Sequence, residues 1–68
     1  METTYYELDD LMVMVIKING VYQYYLRDTT EPYEPFVFAF GIMDKFTEEE
    51  LWEREDYLWD CLNNSYDE

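Results

Sequence analysis

The sequence predicts an α+β domain: a three-stranded antiparallel sheet, formed by a hairpin plus a third strand, with one C-terminal helix packed on a face. Three observations predict it. Asn19-Gly20 separates two β-branched and aromatic runs, LMVMVIKI and VYQYYL, and both residues of that pair accept the positive φ of a type I′ turn. A second apolar run, FVFAF, alternates large and small side chains, as a strand does. Finally, TEEELWEREDYLWDCL repeats its apolar residues at helical spacing behind a capping box. Residues 1–68 make one small domain, and its eight Tyr, four Phe and two Trp supply enough burial area for a core without staples.

Taken in order, Met1 to Asp10 is compatible with a frayed arm, a short edge strand or a first helical turn. The hairpin follows, and its two-residue turn sets the register. Ile18 faces Val21, Ile16 faces Gln23 and Met14 faces Tyr25 on one side; Lys17 faces Tyr22, Val15 faces Tyr24 and Val13 faces Leu26 on the other. Both faces are therefore largely apolar. One is expected to pack on the helix, while the face holding Met12, Met14, Ile16 and Tyr25 needs cover from the N-terminal arm, an irregular segment, a second chain or a partner. Arg27 to Pro35 reads as a turn-forming linker, and Phe36 to Phe40 as the third strand, with Phe36, Phe38 and Phe40 on one face and Val37 and Ala39 on the other.

Thr47 with Glu50 forms the capping box, Glu48, Glu49 and Glu50 complement the helix dipole, and Phe46 stands where a hydrophobic staple would. At 100° per residue Leu51, Leu58 and Leu62 share a narrow core-facing sector, with Trp52 and Trp59 to one side and Cys61 to the other. Glu49, Glu53, Asp56 and Asp60 fall together on the far side, in a row with no cation of its own. That row runs for about 16 Å, a carboxylate every ~5.5 Å, against a phosphate per ~3.4 Å of axis on each DNA strand. Asn63 and Asn64 suit the end of a helix, and the last residues are expected to be mobile.

Composition narrows the chemistry. There is no histidine, the lone Ser65 lies in the tail, and the two glycines, Gly20 and Gly41, have turn roles, so nucleophilic and nucleotide-dependent catalysis are not expected. Cys61 falls among core-facing positions with acids nearby, a setting that disfavours a reactive thiolate, and one cysteine forms no internal disulfide. No stretch has the ligand pattern of a calcium loop, so neither a metal nor a cofactor is expected. The opening METTYYELDD is acidic where a secretory leader is basic, and no apolar run approaches the length of a membrane span. The expectation is a soluble, cytoplasmic protein that is not an enzyme.

Seventeen acidic against four basic residues give a net charge of −13, which repels nucleic acid and anionic membranes and attracts basic clefts. Tyr5, Tyr6, Tyr33 and Tyr66 lie near acids in segments expected to be exposed, and such rings stack on guanidinium planes. In size, lack of histidine, acidic helix EEELWEREDYLWD and hairpin-plus-helix plan, the chain resembles the small acidic inhibitors encoded by phages and mobile elements, including anti-CRISPR proteins and other DNA mimics. The resemblance implies inhibition by occupying the basic nucleic-acid-binding channel of a host defence complex, a CRISPR-type effector or a restriction enzyme, acting in the bacterial cytoplasm as a monomer or weak homodimer. The main contact strip is expected at Glu49, Glu53, Asp56 and Asp60, with Glu48 and Glu55 at its margins and Asp28, Glu31 and Glu34 as a second patch. The alternatives are a non-catalytic dimeric assembly protein and an antitoxin-like regulator of one basic partner.

Overall fold

The computed structural model describes the backbone of residues 2–66 and the side chains up to Asn64. Strands β1 (Glu2–Leu8), β2 (Leu11–Ile18), β3 (Val21–Asp28) and β4 (Val37–Ile42) form one antiparallel sheet in the order β1-β2-β3-β4. Helices α1 (Glu48–Glu53) and α2 (Glu55–Tyr66) follow. The α+β class and the antiparallel sheet are as the sequence predicts, but there are four strands rather than three and two helices rather than one.

The extra strand is the N-terminal segment. Leu8 pairs with Leu11 across a two-residue turn in which Asp9 takes a positive φ of 55°, a conformation that Asp tolerates better than most residues. Alternation then sends Thr4, Tyr6 and Leu8 to the helix side and Thr3, Tyr5 and Glu7 to the other. The β2–β3 hairpin has the predicted register at every pair, and Asn19 and Gly20 take φ values of 53° and 79°.

On β4 the predicted alternation fails. Tyr24 pairs with Phe40 and Tyr25 with Phe38, so Ala39 is an extra residue and the strand bulges there. Val37, Ala39, Phe40 and Ile42 pack against the core, leaving Phe38 on the far face, 52% exposed, with its ring 5.5 Å from that of Tyr25. A bulge turns the strand by one residue, which is why Phe40 parts company with Phe38.

The core lies between the sheet and the helices. Leu8, Leu11, Val13, Val15, Tyr24 and Leu26 from the strands meet Leu51, Leu58 and Leu62 from the helices, all essentially buried. The predicted leucine stripe thus faces inward, flanked by Trp59 and Cys61, while Trp52 is 42% exposed. The capping box is present in both directions: the Glu50 N–H donates to the Thr47 hydroxyl at 3.1 Å, and the Thr47 N–H to the Glu50 carboxylate at 3.0 Å. Phe46 packs on the core cluster that includes Leu51.

The single helix expected from Thr47 to Leu62 is broken at Arg54. There φ is −104° and ψ 16°, and the Arg54 N–H is shared between the carbonyls of Glu50 and Leu51, both at 3.1 Å. The Arg54 carbonyl then accepts from the Leu58 N–H, so the residue closes α1 and opens α2. Nor does the helix end at the asparagines, since α2 continues through Asn63 and Asn64. The terminal residues 67–68, expected to be mobile, lie outside the described residues.

Candidate functional site

Helix geometry and core packing together decide where the acids stand. Because Leu51, Leu58 and Leu62 are held against the sheet, residues roughly half a turn away must face outward, and Glu49, Glu53, Asp56 and Asp60 are all exposed. The break at Arg54 falls between Glu53 and Asp56, so the row is two short i,i+4 pairs on two helices rather than one straight ladder. Glu48 is exposed at its start. Glu55 is half-buried, consistent with a position nearer the leucine stripe.

The second patch also assembles. Asp28 at the end of β3, Glu31 and Glu34 of the linker, and Asn63 of α2 line one open recess of about 330 Å3. The linker is shaped by its own hydrogen bonds: Asp28 Oδ1 accepts from the Thr30 N–H at 2.9 Å and the Thr30 hydroxyl at 2.6 Å, and the Thr29 N–H donates to the Asp10 carbonyl at 2.8 Å. The Thr30 hydroxyl, with its N–H, holds the Asp28 carboxyl below its ordinary range, so Asp28 remains charged. Asn63 lies three residues beyond Asp60, on the same side of α2. Through Asn63 the recess borders α2 one turn beyond Asp60. Sequence reading had no means of placing Asn63 there, because the pairing depends on where the linker turns.

The basic residues are largely engaged with rings. Lys17 Nζ lies 5.4 Å from the centre of the Tyr22 ring, Lys45 Nζ 5.6 Å from that of Tyr6, and the Arg54 guanidinium 4.7 Å from that of Phe46. Arg54 does approach the row, at 3.9 Å from Glu53, contrary to the expectation of a row without a cation. Both side chains are substantially exposed, so the pair neutralises little. Glu50, by contrast, belongs to the cap: the Thr47 N–H holds its carboxyl below the ordinary range.

Of two further surfaces, the first was not legible beforehand and the second is the apolar sheet face that the sequence predicts. Beside Arg54 lies an apolar cleft of about 350 Å3 lined by Phe40, Ile42, Phe46, Arg54 and Tyr57. The side of the sheet away from the helices carries Met12, Met14, Ile16 and Tyr25, but the N-terminal segment widens this face rather than covering it. Phe36, at the end of the linker, reaches over the face to lie 6.2 Å from Tyr5. Tyr5 nevertheless remains 59% exposed. Of the other tyrosines expected at the surface, Tyr33 is exposed and Tyr6 half-buried under Lys45, while the side chain of Tyr66 lies outside the described residues.

Among the described residues no group of His, Cys, Asp and Glu is placed to hold a metal ion, and no helix is long and apolar enough to cross a membrane. Comparisons with protein-family models, curated proteins and solved structures return no match.

Proposed function

We propose that this protein is an acidic DNA-mimic inhibitor that sets the outer face of its helical layer into the basic nucleic-acid-binding channel of a bacterial defence complex and blocks target DNA binding. A CRISPR-type effector is the preferred target class, and a restriction enzyme the second. The inhibitor acts stoichiometrically in the host cytoplasm, with no catalysis and no cofactor. One observation carries the reading: the row Glu49, Glu53, Asp56 and Asp60 is exposed, and the recess of Asp28, Glu31 and Glu34 reaches α2 at Asn63, one turn beyond Asp60. The result is an acidic track interrupted by the uncharged Asn63, with two cations beside it, Arg54 at 3.9 Å from Glu53 and Arg27 next to Asp28.

Each carboxylate takes the place of a phosphate, pairing with Lys or Arg of the channel, and opposite charge makes association fast and salt-sensitive. Exposed rings beside the track, Trp52 and Tyr57, offer flat surfaces for guanidinium groups. The test is the Glu53→Lys/Asp56→Lys double variant in an inhibition assay on a purified effector. Both positions are exposed, so the fold is retained, and inhibition should be lost. Normal inhibition by a folded double variant means that the helical row is not the site.

A further inference from the structure

The sheet face opposite the helices differs in charge from the rest of the molecule. Of the three acids within the strands, Glu2, Glu7 and Asp28, only Glu7 projects from this face, because Glu2 pairs with Lys17 and Asp28 with Leu11 on the helix side. Apolar residues make up most of the rest: Met12, Met14, Ile16 and Tyr25, half-buried, across the middle, with Tyr5 and Phe38, more than half exposed, toward the two edges and Phe36 against Tyr5. Thr3, Gln23 and Arg27 are its polar members. In a chain with a net charge of −13 such a face is not what solubility alone would produce. A basic partner is drawn to the acidic layer, not to this one.

We infer that this face packs against the same face of a second copy, sheet on sheet, in a two-fold symmetric dimer with the helices outward. Charge favours a copy over another apolar surface. Glu7 and Arg27 both pair with Met12, one from each side, so they stand in one cross-strand row with opposite signs. A two-fold axis parallel to the strands lies in the plane of contact and keeps that row at the same end of both copies. It also reverses the strand order, so Glu7 of each copy falls on the side where the other's Arg27 stands, and the pair forms twice.

Size is adequate too. Four strands spaced about 4.8 Å and about 25 Å long present a face of roughly 500 Å2, so two copies bury on the order of 1,000 Å2, at the threshold of a specific interface. Self-repulsion does not forbid it. Sheets packed about 10 Å apart with a helical layer outside each set the acidic tracks roughly 40 Å from one another, several Debye lengths at physiological salt. Such a dimer carries one acidic track on each outer face. Its formation does not depend on what the tracks bind.

The experiment is analytical ultracentrifugation of the full chain over about 1–200 µM, with three variants. The wild type should sediment as a dimer in the upper part of that range, and Met14→Glu, which sets a charge at the centre of the face, as a monomer with unchanged circular dichroism. Glu7→Arg alone and Arg27→Glu alone each place like charges together twice and should weaken self-association about tenfold or more. Mixed in equal amounts, these two variants should recover a heterodimer, which a purely intramolecular Glu7–Arg27 effect cannot produce. A wild type that stays monomeric throughout, or a dimer indifferent to Met14→Glu, overturns the inference. Single charge variants that associate as tightly as wild type also overturn it.

Discussion

The hydroxyl of Tyr24 accepts the backbone N–H of Phe46 at 2.9 Å, joining the centre of β3 to the residue before the helix cap. Tyr24 is fully buried, its ring stacked on Phe40 at 4.9 Å and tilted against Phe46 at 5.7 Å. One side chain therefore fixes where the chain leaves the sheet and where α1 begins, and so where the acidic row points. Removing only the hydroxyl, in Tyr24→Phe, keeps the rings and leaves the Phe46 N–H without its acceptor. The expected loss is about 1–3 kcal/mol, measured by urea unfolding.

The same contact gives a pH dependence. Burial pushes the Tyr24 hydroxyl above the ordinary tyrosine value of 10.0, with the Phe46 N–H acting in the opposite direction and failing to reverse it. A folded value above the unfolded one favours the neutral form. Its contribution is complete below about pH 10 and is lost as pH rises through the folded value. Stability measured between pH 9 and 12 should fall in the wild type, and less steeply in Tyr24→Phe.

At the capping box, Thr47→Ala should cost about 1 kcal/mol by freeing the Glu50 N–H. Glu50 adds an acid-side dependence of the other sign. Its folded value is lowered from 4.5 by the Thr47 N–H, so its contribution is present above that pH and lost as pH falls through the folded value. The stability difference between wild type and Glu50→Gln should be constant above about pH 5.5 and shrink on acidification. A difference that does not change with pH would remove the carboxylate from the cap.

Gly20 is the turn residue whose conformation matters most. Its φ is +79°, and a Cβ there would meet nothing within 4 Å, so Gly20→Ala isolates backbone strain from crowding. The variant should lose about 1 kcal/mol in thermal or urea unfolding with the β2–β3 register intact.

Features set by adjacent residues were readable in the sequence. The Asn-Gly turn dictates every pair of the central hairpin, and Thr47 with Glu50 marks the helix start, because both depend on local backbone geometry. The leucine stripe was readable for the same reason, and with it the outward placement of Glu49, Glu53, Asp56 and Asp60. Tertiary features were not. The β1–β2 turn uses Asp9-Asp10 without a glycine, so the first strand carries no comparable signal, although its alternation of Thr4, Tyr6 and Leu8 is regular. The bulge at Ala39 moves Phe40 onto the core side, where it stacks on Tyr24, a preference visible only once β3 and β4 are paired. The break at Arg54 accompanies a side chain that lies over Phe46 and donates to the Glu50 carbonyl at 3.3 Å, contacts that a helical wheel does not contain.

The acidic track stands or falls on competition with DNA. The measurement is the affinity of a purified CRISPR-type effector for its target duplex, titrated with this protein at low and at moderate salt. DNA binding should be lost at stoichiometric inhibitor, recover as salt rises, and persist when Glu53→Lys/Asp56→Lys replaces the wild type. An effector that binds the protein and its DNA together, or that is inhibited equally by the double variant, would contradict the phosphate-mimic account.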